Sequence, residues 1–189
     1  MSNIKVHLYS EDKDFRLRKV ETNDLSFLME LRNHTETQKF LGTNIKLTMQ
    51  MQEQWLSTLK TSKDKVYYIY EKFEQKANNV YEWTSIGMVR THDIDNFNKH
   101  MGVGGDIIPE QRGQGYATIM YRLIFKLAFE KLKFHRLWLS VIEYNFRARN
   151  LYKKMGFKET GIQRHAVFKE NKYYDYVYMD ILETEYNQK

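Results

Sequence analysis

Apolar and polar positions alternate with period two in some stretches of the chain and recur every three or four residues in others. Phe15 to Val20 alternates as a short strand. Leu25, Leu28, Met29 and Leu31 form the apolar face of a helix from Asp24 to about Arg32, with Thr22 or Asn23 able to cap it. Met51, Trp55, Leu56 and Leu59 repeat that spacing behind a capping Thr48. Strands are predicted over Val66 to Phe73, Trp83 to Thr91 and Met101 to Ile108, with a turn at Ala77-Asn78-Asn79. A long helix follows from about Gly115 to Lys133, burying Met120, Leu123, Ile124, Leu127 and Ala128. Arg136 to Ile142 is a strand, and Asn145 caps a helix that stops at Gly156. Phe157 to Gln163 and Tyr173 to Ile181 make a last pair of strands. Strands first, then β-α-β-α-β-β, predict an α/β protein with a mixed sheet.

Composition narrows the class. At 189 residues the chain is long enough for one domain with a real core and short for two, so residues 1–189 are expected to be a single domain. The polar start Met1 to Lys5 predicts no signal peptide, and no apolar run approaches 18 residues, so no membrane partner is expected. The absence of cysteine excludes disulfides, thiol catalysis and thiolate metal sites, and points to the cytoplasm; no metal is expected. The net charge of +6 is uneven: residues 110–160 hold 11 Lys/Arg against 4 Asp/Glu, whereas the first 109 residues hold 15 of each. A basic excess confined to one region suits an anionic ligand. No stripe of basic residues interleaved with aromatics points to nucleic acid.

That region contains Arg112-Gly113-Gln114-Gly115-Tyr116-Ala117, between a predicted strand and a predicted helix. Glycines leave backbone N–H groups unscreened, and the positive end of a helix dipole converges on the same spot, which suits a phosphate or pyrophosphate. The pattern is not a P-loop, because no Gly-Lys-Ser/Thr follows. It is not a dinucleotide fingerprint, because Thr118 stands where a third glycine is needed. It resembles the acetyl-CoA pyrophosphate loop of the GNAT superfamily of N-acetyltransferases. A second segment, Asn145-Phe146-Arg147-Ala148-Arg149-Asn150-Leu151-Tyr152-Lys153-Lys154-Met155-Gly156-Phe157, is similar to the later motif of the same superfamily.

The resemblance covers residues 84–181 well and implies a single-domain GNAT-like fold. It implies about seven mostly antiparallel strands, about four flanking helices, and splayed strands at a cofactor cleft. Residues 84–181 would bind acetyl-CoA, and residues 15–83 would mainly serve the acceptor. It assigns the cofactor phosphates to the backbone of Arg112, Gly113, Gln114, Gly115, Tyr116 and Ala117, with Thr118 nearby. Gly105, Ile107 and Ile108 would pair with the pantetheine amides, Asn145 would bond the same arm, and Asn150 would touch the adenosine end. Tyr152 would protonate the departing thiolate; its competing role is a helix tyrosine packed in the core.

The general base is less legible. Relatives in that superfamily carry a glutamate where this chain has Met101-Gly102 or Ser140. His92 is the side-chain candidate, with Asp106, Asp93, Glu143 and His165 as alternatives. Alternation turns Asp106 away from the face of Gly105 and Ile107. An amine of pKa about 10.4 is only ~0.04% neutral at pH 7, so a missing carboxylate favours an acceptor of lower pKa. The expected acceptor is a small-molecule primary amine. Leu31-Arg32-Asn33-His34 resembles the start of enzymes that acetylate nucleotide-linked amino sugars, making Arg32 and His34 candidate acceptor contacts. Spermidine and ribosomal-protein N-terminal acetyltransferases share the C-terminal half and stay open, as does an inactive acyl-CoA-binding module. The tyrosine-rich strand Tyr173 to Tyr178 either pairs across a homodimer or closes the sheet.

Overall fold

The alternating stretches assemble into one eight-stranded sheet in the computed structural model, which describes residues 7–186 apart from the side chain of Asn78. The start Met1 to Lys5 lies outside the described residues. The strands are β1 (Leu8–Tyr9), β2 (Phe15–Lys19), β3 (Val66–Gln75), β4 (Tyr81–Asp95), β5 (His100–Ile107), β6 (Arg136–Ile142), β7 (Lys158–Lys169) and β8 (Lys172–Leu182). Their order is β1-β2-β3-β4-β5-β6-β8-β7. All neighbours are antiparallel except β5 and β6. The strand beyond the expected seven is β1, which at two residues is too short to show alternation.

The α-helices are α1 (Leu25–Asn33), α2 (Thr35–Gln38), α3 (Met49–Thr61), α4 (Tyr116–Phe125), α5 (Phe146–Met155) and α6 (Glu183–Tyr186). The four-residue α2 and α6 exceed the expected four helices because a single turn has no periodicity to read. Neither Thr22 nor Asn23 caps α1. A 3₁₀ turn, Thr22–Asp24, precedes it, and the buried Asp24 carboxylate accepts from the Glu21 N–H and from Arg18. Thr48 does cap α3, accepting from the Met51 N–H at 3.3 Å. Met51, expected on the buried face, is exposed; Gln52 is buried instead.

Helix α4 packs as its spacing predicts, with Met120, Leu123 and Ile124 no more than 2% exposed. Each large side chain so buried contributes about 1.5–3 kcal/mol relative to exposure. The helix continues as a π-helical stretch, Lys126–Lys131. The wider turn brings three successive residues, Leu127, Ala128 and Phe129, into the core. Helix α5 ends at Gly156, whose φ of +100° is the left-handed conformation that glycine adopts without strain.

The junction between β5 and β6 positions the site. These strands pair only at His100–Arg136, Met101–Leu137 and Gly102–Trp138. Beyond Gly102 they part, while β5 stays paired with β4 and β6 with β8. The wedge between them opens toward the start of α4.

Candidate active site

A cavity of about 860 Å³ fills this wedge. Gly105, Asp106 and Ile107 line one side, and Ser140, Val141 and Ile142 the other. Its floor includes the turn before α4, where Gly113 and Gly115 have φ of +87° and +82°. Among the described residues, the N–H groups of residues 113–117 have no backbone acceptor, whereas that of Thr118 is taken by the Gly115 carbonyl. First-turn N–H groups have no intrahelical partner, so these donors are unspent, and Gly113, Gly115 and Ala117 among them line the cavity. The turn is a ready anion cradle, built almost wholly from backbone.

The Arg112 side chain is engaged within the fold. Its Nε donates to the Ile107 carbonyl at 2.8 Å and its Nη2 to Thr37 Oγ1 at 2.8 Å. The guanidinium therefore straps the end of β5 to α2. Of the other residues assigned to cofactor, Gly105, Ile107, Ala117, Thr118, Asn145 and Asn150 line the cavity. Ile108, Gln114 and Tyr116 do not. Ile108 packs on the apolar cluster under α1, and the Tyr116 ring lies against Phe15. The Tyr70 hydroxyl donates to the Tyr116 carbonyl at 3.1 Å, anchoring the first turn of α4. Asn145 Oδ1 accepts from the Ala148 N–H at 3.2 Å, so the residue caps α5 while lining the cavity.

Tyr152 lines the cavity and packs on the core as well, ring to ring with Tyr121 at 5.3 Å and with Phe157 at 5.9 Å. Burial pushes its phenol pKa up, which keeps it protonated near neutral pH. Among the described residues, the Tyr121 hydroxyl beside it is buried without a hydrogen-bond partner, a feature no periodicity in the chain reveals.

The side of the cavity toward α1 is organised by Asp106. Its Oδ2 accepts from Arg90 Nη1 at 2.8 Å and from Arg32 Nη1 at 3.4 Å. Burial works against its charge, but the two guanidinium groups hold its carboxyl below the ordinary value. Gly104 makes this possible: a Cβ there would lie 2.7 Å from the Arg90 guanidinium, which crosses that position to reach Asp106. At Gly105 a Cβ would lie 2.4 Å from the Met120 side chain. Close approach by neighbouring side chains thus accounts for the mid-strand glycine pair. Asp106 faces Arg90, opposite Gly105 and Ile107, as alternation predicts. Arg90 itself carried no motif, and only the β4–β5 register, with Arg90 opposite Gly104, brings it to the site.

His92 and His34 are not brought to the cavity. The His92 ring lies over Gly102 and edge-on to Trp138 at 5.1 Å, with Nδ1 2.9 Å from Asp93 Oδ2. His34 caps α2, its Nδ1 accepting from the Glu36 N–H at 3.1 Å. The cavity lining carries Arg32, Arg90, Arg112, Arg147 and Lys154 against the single carboxylate of Asp106.

Among the described residues, no helix is long and apolar enough to cross a membrane. The structure resembles that of Vibrio cholerae spermidine N-acetyltransferase in complex with CoA and spermine, with TM-score 0.81 and 24% identity over 92% of this chain and 98% of that one. At that identity the likeness is one of fold. In sequence, the chain is 23% identical to Escherichia coli K12 spermidine N(1)-acetyltransferase over 90% of its length and 87% of that protein. It is 28% identical to YdaF of Bacillus subtilis, provisionally named a ribosomal N-acetyltransferase, over 59% of this chain and 61% of that protein. Residues 14–158 match the Acetyltransferase (GNAT) domain, and the chain belongs to that family of acetyl-CoA-dependent enzymes.

Proposed function

We propose that this enzyme moves the acetyl group of acetyl-CoA to a primary amine of a small molecule by direct attack, with Tyr152 as general acid. The observation that carries the reading is the row of unspent N–H donors at residues 113–117, at the floor of a wedge that Tyr152 also lines. Pyrophosphate bound at the turn would direct the pantetheine arm up the parted edge of β5, where unpaired backbone can bond its amides. The thioester would then lie beside Tyr152. Attack by the neutral amine forms the new C–N bond, the C–S bond breaks, the phenol proton goes to the leaving sulfur, and the proton shed by the acylated nitrogen passes through solvent to restore the phenol.

The acceptor is proposed to be an amino sugar linked to a nucleotide. The cavity meets it with a basic surface, and its one carboxylate is already shared between two arginines. A polycation finds little to bind there. Polyamine acetylation is the second reading, supported by the names of the relatives. With no free carboxylate lining the cavity, an acceptor of lower pKa, losing its proton to solvent, is favoured.

Incubation with acetyl-CoA and a panel of amines, following release of free CoA, tests the reading. The expected outcome is turnover of an amino-sugar nucleotide ahead of spermidine. Tyr152→Phe should depress kcat without altering the affinity for acetyl-CoA; an undiminished kcat would remove Tyr152 from the chemistry.

A further inference from the structure

A second cavity, of about 280 Å³, lies between α1, α3 and the sheet. Arg32, Tyr67 and Arg90 line it and also line the wedge, so these three side chains form the wall between the two. Most of the rest of its lining is apolar, with Leu28, Met88 and the Trp55 ring, which meets Tyr67 edge-on at 5.1 Å. Its rim is pinned: Asn33 bonds both the N–H and the carbonyl of Leu47, each at 2.8 Å. Gln52 also lines it and is 5% exposed, so a side-chain amide is present on this wall.

The wall itself is out of balance. Two guanidinium groups converge on one carboxylate oxygen of Asp106, leaving one positive charge in excess. The Nε and Nη2 donors of both arginines have no acceptor among the described residues. Side chains in this position are 27% exposed for Arg32 and 29% for Arg90, and that exposure is to the two cavities they separate. A half-buried excess charge with unused donors is a binding site for an anion.

We infer that the acceptor carries an anionic group that binds Arg32 and Arg90, and beyond it a single ring or compact apolar group that enters the small cavity and bonds Gln52. This rests on the proposed acetyl transfer, since the amine must then lie on the wedge side of the wall. An amine, an anion and a ring together are the chemistry of a nucleotide-linked amino sugar, in that order, and of an apolar amino acid, whose amine, carboxylate and side chain branch from one carbon. About 280 Å³ lies at the lower end of the range for ligand pockets and suits one ring.

The test uses probes that have no amine, titrated calorimetrically into the full chain saturated with CoA, so the turn is already occupied. Uridine monophosphate represents the phosphate source and 3-phenylpropionate the carboxylate source; 3-phenylpropanol and uridine are their neutral matches. At least one anionic probe should bind tenfold or more tightly than its neutral match. Arg90→Met should erase that preference. Leu47→Trp, which fills the rim and leaves the charge cluster intact, should weaken the same probe tenfold while CoA binding is unchanged. Equal binding of anionic and neutral partners, or spermidine binding tighter than both anions, would overturn the inference. Because no probe needs turnover, the result stands apart from whether acetyl transfer is observed.

Discussion

The two ends of the active-site cavity are built differently. The end proposed for the cofactor is a local object: five consecutive residues, two of them glycines with positive φ, present backbone N–H groups at the start of one helix. The acceptor end is assembled from distant residues, Arg32 on α1, Arg90 on β4 and Asp106 on β5, which meet only because the strands pair in one register. The first binds through groups every residue possesses and needs only the right backbone. The second binds through particular side chains and needs the whole fold. Changes at one end should therefore leave the other's ligand preference alone.

The largest expected effect lies between the two ends. Tyr152→Phe should lower kcat by roughly 10²–10⁴-fold, the usual worth of a positioned general acid. Steady-state kinetics should show KM for acetyl-CoA unchanged. A parallel rise in that KM would mean that the tyrosine serves the cofactor end instead.

Asp106→Asn should destabilise the chain by roughly 3 kcal/mol, because it leaves two half-buried guanidinium groups facing each other. Denaturant melts measure this, and acetyl-CoA affinity should not move. The sign of the pH dependence follows from the lowered pKa of Asp106. In the unfolded chain it takes up its proton near 3.8, and in the folded protein only at lower pH. The stabilisation is therefore complete above pH 3.8 and is lost as pH falls through the folded value. The difference between wild type and Asp106→Asn should shrink in the same window. A difference that persisted at acid pH would show that packing, not charge, holds the cluster.

Gly115→Ala sharpens the contrast at the cofactor end. No atom lies within 4 Å of a Cβ placed there, so the cost is the left-handed backbone alone, about 1–2 kcal/mol. Acetyl-CoA affinity should fall about tenfold as the turn relaxes, with acceptor selectivity preserved. Altered selectivity would join the two ends that the structure keeps separate. The smallest effect is expected for Asn145→Ala, which removes the N-cap of α5 at a cost of about 1 kcal/mol in thermal stability.

Legibility in the sequence followed the same division. Helix α4 was readable because Met120, Leu123, Ile124, Leu127 and Ala128 are near neighbours that report one face. Caps at Thr48, Asn145 and Gly156 were readable for the same reason. The cap of α1 was misread because Asp24 is drawn into a network with Arg18, which also binds Glu71 on another strand. Met51 lines the second cavity, as Gln52 and Trp55 do, and keeps its exposure there, while the neighbouring Gln52 is buried. Arg90 had no local signal at all.

By itself, the chain determined its α/β order, the anion cradle before α4 and the helix that presents Tyr152. Each depends on contacts within a few residues, where periodicity, φ and capping are written directly in residue type. Only the tertiary structure decided that Arg112 is a strap, that His92 meets Trp138 edge-on, and that Arg32 and Arg90 share Asp106 between two cavities. A side chain's partner across a sheet is set by strand register and packing, and those are properties of the folded whole.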